Sequence, residues 1–296
     1  MNLCNPSVIR ELMSEAGITF RKEYGQNFLI SRDVPERIAD ECADSPDTVI
    51  LEIGPGIGCL TVELAERYSQ VVAVEIDSGL IPVLRKTLAD YPNVTVINAD
   101  CMKLDLAAAL SEAVGGRELG RDVKVAVCAN LPYYITTPIL MHLLESGVPF
   151  SSITVMIQRE VADRLVSPAG KADYGAITAV LGYYGDAERL FTVPAGCFLP
   201  APKVSSAVVR ISLPAEPKYR PVSEEIFFRT VHAAFEQRRK TLVNALSAKF
   251  GSLSKEQISA IVEEAGHSVT VRGERLSTAE FVALSDLLAR TLASKE

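Results

Sequence analysis

The chain has 296 residues, 48% of them hydrophobic, which is enough for one large domain and a smaller one. Its formal net charge of −7 argues against indiscriminate nucleic-acid binding, because a polyanion would have to meet a local basic patch. No apolar run reaches the ~18 residues of a membrane helix, and residues 1–20 lack the apolar stretch of a secretion signal. The six cysteines include no CxxC pair, which favours buried thiols over a metal site. We therefore expect a soluble cytoplasmic protein that holds no metal.

The first segments of the chain predict two helices joined by a polar loop. Residues 7–20 have apolar residues at helical spacing, and a second helix is predicted from about residue 31 or 32 to residue 43. Residues 21–29 between them are polar and interrupted by glycine. The Gln26–Asn27 pair in this loop is typical of solvated surface, and it gains functional interest only if the loop folds over a ligand.

A glycine-rich loop follows the first predicted strand. The strand, residues 48–53, runs directly into Gly54-Pro55-Gly56-Ile57-Gly58, and helical spacing resumes over residues 60–68. This arrangement lets the backbone approach a ligand and points the N–H groups of a helix N-terminus at it. The dinucleotide fingerprint GxGxxG would need glycine at position 59, where the chain has Cys59. The loop therefore predicts a closely bound ligand and disfavours a nicotinamide cofactor.

Acidic side chains stand at the ends of the next two predicted strands. The strand 71–76 carries Glu75, 21 residues after Gly54, where a carboxylate can accept hydrogen bonds from both ribose hydroxyls. The strand 94–98 is followed by Asp100, which is placed for an adenine amino group. Each acid alone is typical of a loop or a helix cap. Chance explains the ordered set of glycine loop, Glu75 and Asp100, followed by Asn130, much less well than it explains each acid alone.

Residues Asn130-Leu131-Pro132-Tyr133 follow an apolar run, 123–128, that predicts a buried strand. The amino group of a nucleobase is a poor nucleophile because its lone pair is delocalised into the ring. The Asn130 amide oxygen and the Leu131 carbonyl, both accepting from that group, would favour a localised lone pair. Pro132 biases Leu131 towards an extended backbone, and Tyr133 offers a face for stacking, worth about 1–3 kcal/mol per base. The alternative is a strand-end turn whose proline and tyrosine only pack.

The remaining segments alternate between strands and helices up to about residue 213, which predicts an α/β fold. Phe198 is compatible with two interpretations, a core residue or a second face for a stacked base. The predictions are an exposed loop at 111–122, a helix from 136 or 137 to 145, a strand at 153–158 with a charged helix after it, loops at 171–175 and 182–186 around the apolar segment 176–181, and a last strand at 204–213.

Beyond a proline-containing linker, residues 213–222, the pattern is helical only. Apolar spacing runs over residues 226–250, which include the basic cluster Arg238-Arg239-Lys240, and helices are predicted at 257–264 and 278–292. A basic cluster is usually a solvated face, but beside a base-binding pocket it can contact phosphate. We predict an α/β domain over residues 1–213 and a small all-α domain over residues 214–296.

Taken together, these motifs resemble those of the ribosomal RNA adenine dimethyltransferases (the rRNA adenine N6-methyltransferase family), and within it the bacterial small-subunit type. The resemblance runs from about Tyr24 to the last helix. The departures are Tyr24, where phenylalanine is usual, and Cys59 and Cys197, where small residues are usual. The motifs, in order, are YGQNFL (24–29), LEIGPGIG (51–58), VEID (74–77), NAD (98–100), NLPYYITTPI (130–139), QREVADRL (158–165), FLPAPKVSSAV (198–208), FEQRRKTLVNAL (235–246) and ERLSTAEF (274–281).

The resemblance implies a Rossmann-like domain that uses S-adenosylmethionine (SAM), with S-adenosylhomocysteine as product, and a helical C-terminal domain that contacts RNA or the ribosome. It implies N6,N6-dimethylation of two adjacent adenosines in a hairpin loop near the 3′ end of 16S rRNA, during late small-subunit assembly. The partner would be 16S rRNA in an immature small subunit, and we expect a monomer.

The same resemblance assigns roles residue by residue. The implied cofactor residues are Asn27, Leu29, Gly54, Gly56, Glu75, Ile76, Asp100, Cys101 and Asn130. The implied catalytic residues, which hold the target adenine, are Asn130, Leu131, Pro132, Tyr133 and Phe198. The RNA-contacting candidates are Lys203, Arg238, Arg239 and Lys240.

Three other functions compete with this interpretation. Antibiotic-resistance methyltransferases that modify large-subunit rRNA share a related motif set, but Leu131, Tyr134 and the long segments FLPAPKVSSAV and FEQRR favour the small-subunit type. The protein could instead act mainly as an assembly checkpoint that binds the immature subunit. A nicotinamide oxidoreductase is disfavoured by the GxGxG spacing.

Overall fold

The computed structural model describes residues 1–18 and 26–294, which form two compact units. The first unit comprises Met1–Ala162 and Glu188–Ala215, and the second comprises Asp163–Ala187 and Glu216–Glu296. Among the described residues no helix is both long and apolar enough to span a membrane.

The strands form one large sheet and one small one. They are β1 (Phe28–Leu29), β2 (Val49–Ile53), β3 (Gln70–Glu75), β4 (Val94–Asn98), β5 (Val125–Asn130), β6 (Phe150–Gln158), β7 (Asp186–Val193), β8 (Phe198–Leu199) and β9 (Ser206–Ser212). Seven of them form a sheet in the order β4-β3-β2-β5-β6-β9-β7, and β1 pairs with β8 in an antiparallel pair. The strands from β4 to β6 are parallel, and β9 runs antiparallel to β6.

The centre of the sheet explains why a ligand cleft forms at one edge. All five residues of β2 are buried, as are the first five of β5, as expected for parallel strands covered on both faces. Ile53 pairs with both Val74 and Ala129, so β2, β3 and β5 end side by side. The chain order reverses between β2 and β5, and open α/β sheets bind ligands at such a switch point. The predicted α/β, Rossmann-like fold is confirmed.

The helices agree with most of the predictions. They are α1 (Pro6–Glu15), α2 (Asp33–Asp40), α3 (Cys59–Arg67), α4 (Ile81–Thr87), α5 (Leu106–Ala113), α6 (Thr136–Glu145), α7 (Arg159–Leu165), α8 (Ala176–Tyr184), α9 (Glu224–Glu236), α10 (Leu242–Lys249), α11 (Lys255–Glu264) and α12 (Thr278–Ala293).

Two predicted loops are partly regular structure. The segment 111–122 begins inside α5, whose N-terminus is capped by the Asp105 carboxylate accepting from the Ala108 N–H at 2.9 Å. The segment 182–186 begins inside α8 and reaches the first residue of β7. Gly182, in the second predicted loop, is a helical residue packed closely against Thr278, whose Oγ1 would lie 2.5 Å from an added Cβ.

The second unit has an aromatic core. The Tyr183 ring lies 5.0 Å from that of Phe227, and the Tyr174 ring lies 5.8 Å from that of Phe235, measured between centroids. The sequence predicts residues 163–187 as part of the first domain, but these contacts group them with the C-terminal helices.

The helical segment predicted over residues 226–250 is two helices. It breaks after α9, and α10 starts at a new cap, where the Thr241 hydroxyl accepts from the Asn244 N–H. The basic cluster Arg238-Arg239-Lys240 therefore occupies a turn, not a helix. The predicted start of the last helix is confirmed, since Ser277 and Glu280 form a reciprocal capping box.

Candidate active site

The glycine loop turns the chain from β2 into α3 through backbone conformations that favour glycine. Gly54, Gly56 and Gly58 have φ angles of 71°, 63° and 95°. A Cβ on Gly56 would lie 3.0 Å from Cε1 of Phe28. The loop therefore combines a left-handed backbone with a close approach of the β1 segment, and it forms the floor of a cleft.

A buried carboxylate at the end of β3 faces this loop. The Oε2 atom of Glu75 accepts from the Gly56 N–H at 3.1 Å, and Oε1 accepts from the Asp77 N–H at 2.8 Å. Burial raises the pKa of Glu75, although the hydrogen bonds from the Asp77 and Gly56 N–H groups oppose that rise. Each carboxylate oxygen has a second lone pair, so Glu75 can still accept from two hydroxyls. The adjacent Ile76 is 48% exposed and lines the cleft with an apolar face.

The segment after β5 forms the opposite wall of the cleft. Asn130, the last residue of β5, donates from Nδ2 to the Asn27 carbonyl at 3.4 Å. That contact directs the amide nitrogen away and leaves Oδ1 as an acceptor for another group. The Leu131 N–H donates to the Met156 carbonyl at 3.1 Å, and the Leu131 side chain is buried. Among the described hydrogen bonds, none ends on the Leu131 carbonyl oxygen.

Pro132 and Tyr133 are held by neighbouring side chains. The Pro132 carbonyl accepts from the Thr136 hydroxyl at 3.0 Å, which ties the turn to the start of α6. The Tyr133 hydroxyl is 2.7 Å from the Ser206 hydroxyl on β9, so the ring is fixed at both ends. Burial raises the pKa of Tyr133, and the tyrosine remains a neutral, flat surface at the cleft.

Most residues implied by the motifs therefore line one cleft of the first unit. They are Asn27, Leu29, Gly54, Gly56, Glu75, Ile76, Asn130, Leu131, Pro132 and Tyr133. The first two residues of the motif at 24–29, Tyr24 and Gly25, lie outside the described residues.

Two of the implied cofactor residues are not among the lining residues. Asp100 follows β4, and its Oδ1 accepts from the Met102 N–H at 3.0 Å while its Oδ2 lies 3.6 Å from Nζ of Lys103. Cys101 is buried, and burial with the Asp100 charge raises the pKa of its thiol to about 11. Asn98 in the same strand donates to the Glu75 carbonyl at 2.7 Å, which connects the end of β4 to the cleft wall.

Phe198 is a core residue in this structure. Its side chain is 2% exposed, it pairs with Leu29 across the β1–β8 ladder, and it packs in the core formed with β2 and α3. It offers no face to the cleft. The structure therefore agrees with the interpretation of Phe198 as a core residue, and not with that of a stacking face.

Sequence reasoning missed one functional candidate, Glu52. It is the next-to-last residue of β2, is 1% exposed and lines the cleft. Burial, together with the charge of nearby Glu75, raises the pKa of Glu52 to about 8. Its Oε2 has no hydrogen-bond partner among the described residues. The signal was present: a glutamate in the otherwise apolar strand VILEI needs a reason to be buried.

The basic cluster of the second unit has a partly structural role. Arg238 donates from Nη2 to the Tyr174 carbonyl at 3.0 Å and lies 3.3 Å from Oε2 of Glu274. Arg239 and Lys240 are exposed. Lys203, in the loop between β8 and β9 of the first unit, is also exposed. No group of three or more His, Cys, Asp or Glu side chains suited to a metal ion occurs in the described part of the chain.

A Rossmann-like sheet with a glycine loop, a buried acid facing it and an Asn-Leu-Pro-Tyr wall has the features of an S-adenosylmethionine-dependent methyltransferase that acts on an amino group. The sequence matches the ribosomal RNA adenine dimethylase family over residues 17–287. The chain therefore belongs to this family, and it is a SAM-dependent rRNA adenine methyltransferase.

Individual relatives agree with this assignment. The chain is 44% identical over 288 residues to ribosomal RNA small subunit methyltransferase A of Lachnoclostridium phytofermentans, covering 97% of both chains. It is 43% identical over 290 residues to the protein of that name from Streptococcus pneumoniae, covering 97% of this chain and 98% of the relative.

Two solved structures share the fold. The crystal structure of the 23S rRNA methyltransferase ErmE is 28% identical, with a TM-score of 0.66 over 89% of this chain and 100% of that one. A dimethyladenosine transferase from Plasmodium falciparum, 22% identical, superposes with a TM-score of 0.71 over 90% of this chain and 98% of that one.

Proposed function

We propose that this protein dimethylates N6 of two adjacent adenosines in the 3′-terminal hairpin loop of 16S rRNA. The observation that carries the proposal is the wall formed by Asn130 and Leu131, which presents two acceptors where β5 ends beside the glycine loop. The relatives at 43–44% identity are named for the small ribosomal subunit, which favours 16S over 23S rRNA as the substrate.

The cofactor fits the side of the cleft formed by Glu75 and the glycine loop. The Glu75 carboxylate would accept from the ribose hydroxyls, and Ile76 and the backbone of Gly54 and Gly56 would contact the rest of the molecule. Asn27 and Leu29 would cover it from the β1 segment, with Asp100 and Cys101 at the adenine end. When bound, SAM supplies an electrophilic methyl group on a sulfonium.

The target adenine would be recognised through hydrogen bonds to its amino group. The Asn130 Oδ1 and the Leu131 carbonyl accept hydrogen bonds from N6, which localises the nitrogen lone pair and fixes its direction. Tyr133 provides the stacking surface, and its hydroxyl is anchored by Ser206. Positioning of this kind is worth several kcal/mol of the barrier. Phe198 can stack on the opposite face only if its side chain leaves the core.

The second methyl transfer makes a specific demand on this wall. A monomethylated N6 has one N–H for two acceptors, so one acceptor must be given up while the ring stays in place. Tyr133 keeps the ring position because its anchor is independent of Asn130. The cleft must also hold the first methyl group beside Asn130.

We propose that the exposed side chains of Lys203, Arg239 and Lys240 contact the RNA. Arg238 would contact RNA as well as stabilise its own unit through the hydrogen bond to the Tyr174 carbonyl. An acidic protein with a few phosphate contacts suits a pre-assembled ribonucleoprotein surface better than free RNA. We therefore propose an immature small subunit as substrate, and a cytoplasmic monomer as the active form.

The test uses labelled SAM and small subunits from a strain that lacks this methylation. Asn130→Ala should lower turnover by about 10²-fold or more, because both the acceptor and the alignment are lost, while SAM binding in calorimetry weakens far less. Tyr133→Ala should lower turnover at saturating SAM. Asn244→Ala, an exposed asparagine on α10, is the matched control. Near-normal turnover in Asn130→Ala and Tyr133→Ala would refute the assignment.

The checkpoint role makes a separate prediction. If binding to the immature subunit is the main role, an Asn130→Ala strain and a null strain will differ in subunit maturation. If methylation is the main role, the two strains will show the same phenotype.

A further inference from the structure

Two cysteines are neighbours beside the cofactor cleft. The Sγ of Cys59, the first residue of α3, donates to the Leu3 carbonyl at 3.1 Å, which places Cys59 beside Cys4, the next residue in the chain. Cys4 follows Leu3 in the turn that precedes α1. Both cysteines line a second surface cleft, which also contains Arg32. A small oxidant can therefore reach this pair through the second cleft.

The pair has the charge environment of a reactive dithiol. The S–H of Cys59 can turn from the Leu3 carbonyl to the Cys4 sulfur, and that hydrogen bond lowers the pKa of Cys4. The Arg32 guanidinium acts in the same direction, while burial and the Glu63 carboxylate oppose it. The pKa of Cys59 is raised well above its ordinary value by its contact with Cys4 and by burial. Cys4 is thus the thiol that ionises first, and thiolates are the species that peroxide oxidises.

A second pair of neighbouring cysteines in the same unit provides an internal comparison. The Cys42 thiol donates to the carbonyl of Val127, the residue before Cys128, at 3.9 Å, and Cys42 and Cys128 are both fully buried. Burial raises the pKa of Cys128 well above its ordinary value. Cys4, which is 9% exposed, and Cys59 line the second cleft, whereas Cys42 and Cys128 do not, so the Cys42–Cys128 pair should stay reduced.

Cys59 links the pair to the cofactor site. It lines the cofactor cleft as well as the second cleft, and its Sγ lies 3.9 Å from the Leu29 carbonyl. It directly follows Gly58, the left-handed end of the glycine loop. Movement of the Cys59 side chain therefore displaces atoms at the edge of the cofactor cleft.

We propose that Cys4 and Cys59 form an oxidation site, and that a peroxide closes them into a disulfide that weakens SAM binding. The Cys4 thiolate attacks one peroxide oxygen, the O–O bond breaks, and Cys4 sulfenic acid and hydroxide result. The Cys59 sulfur then attacks the Cys4 sulfur, forming the S–S bond and breaking the S–OH bond. The proton of Cys59 and the departing hydroxide leave as water. Two electrons pass from the two sulfurs to the peroxide.

The disulfide changes the cleft because its sulfurs must come to about 2.05 Å. Cys59 then gives up its hydrogen bond to Leu3 and its contact with Leu29, and the N-terminal turn becomes tied to the start of α3. Reduction by a dithiol reverses the change. The effect on SAM affinity rests on the proposed cofactor site, whereas disulfide formation does not.

The test treats the full-length protein with hydrogen peroxide, blocks free thiols, and maps disulfides by peptide mass spectrometry. We expect a Cys4–Cys59 cross-linked peptide, absent in Cys4→Ser and Cys59→Ser, with Cys42 and Cys128 still alkylated after denaturation. A cross-link at Cys42–Cys128 instead, or oxidation of Cys4 and Cys59 without a cross-link, would overturn the proposal.

Calorimetry of the same samples tests the link to the cofactor. Oxidation should weaken SAM binding about tenfold or more in the wild type, dithiothreitol should restore it, and oxidised Cys4→Ser should bind like its reduced form. Cross-linked protein with unchanged SAM affinity would overturn the link. Failure of the reduced protein to bind SAM would instead refute the cofactor site and leave the peptide map to decide on the disulfide.

Discussion

The buried carboxyl of Glu52 should make the stability of the protein fall as the pH rises. Burial raises the pKa of Glu52 from 4.5 to about 8, so the folded protein keeps this proton where the unfolded chain has lost it. Because the pKa of Glu52 is higher in the folded state than in the unfolded chain, its contribution to the free energy of unfolding is fully present below about pH 4.5. This contribution is lost progressively as the pH rises to about 8. Glu52→Gln removes the titration while it keeps the shape of the side chain.

The magnitude follows from the two pKa values. Each pH unit between them corresponds to about 1.4 kcal/mol. Between about pH 5 and about pH 8 the wild type should therefore lose about 3–4 kcal/mol through this group, and Glu52→Gln should lose none of it. The variant should match the wild type near pH 5 to within about 1 kcal/mol, since both side chains are then neutral.

The assay is urea unfolding of wild type and Glu52→Gln at both pH values, without SAM. Glu264→Gln, an exposed glutamate on α11, is the control for a lost surface charge. A difference between Glu52→Gln and wild type that is the same at both pH values would refute the reasoning, because it would mean that Glu52 does not titrate in this range.

Three further variants test the cleft. Gly56→Ala should lower SAM affinity and cost about 1–3 kcal/mol of stability, since its φ of 63° and a ring carbon 3.0 Å from the added Cβ both oppose a side chain; Gly196→Ala, with open space around its Cβ, is the control. Glu75→Gln should weaken SAM binding about tenfold or more in calorimetry. In the wild type, SAM affinity should fall as the pH is lowered. The fall should begin above the pH at which an ordinary carboxyl group is protonated, because burial raises the pKa of Glu75. Ser206→Ala should lower kcat about three- to tenfold with unchanged SAM affinity, and combining it with Tyr133→Phe should add little, since both remove one hydrogen bond.

Short-range patterns were enough to predict much of the fold and the location of the cleft. The strand at 94–98 is predicted at the observed residues, and the helix predicted from 136 or 137 to about 145 is α6, because apolar spacing and end signals are local. The glycine loop and Asn130 were expected at strand ends, and parallel pairing of β2 and β5 brings those ends together.

What the sequence could not supply depends on tertiary packing. Phe198 was equally compatible with core and stacking roles, and only its pairing with Leu29 decides for the core. The sequence predicts Glu52 only as part of a strand, and its place at the cleft follows from the position of β2 between β3 and β5. The grouping of residues 163–187 with the second unit follows from contacts such as Tyr183 with Phe227, which no local pattern specifies.

The central claim is that Asn130 and the Leu131 carbonyl hold an adenine amino group of 16S rRNA for methylation. The most direct measurement is nucleoside-resolved mass spectrometry of the 3′-terminal hairpin after reaction of undermethylated small subunits with the protein and SAM. We expect two neighbouring N6,N6-dimethyladenosines with the wild type and neither with Asn130→Ala. An unmodified hairpin with the wild type, or methyl groups on another RNA segment, would contradict the account.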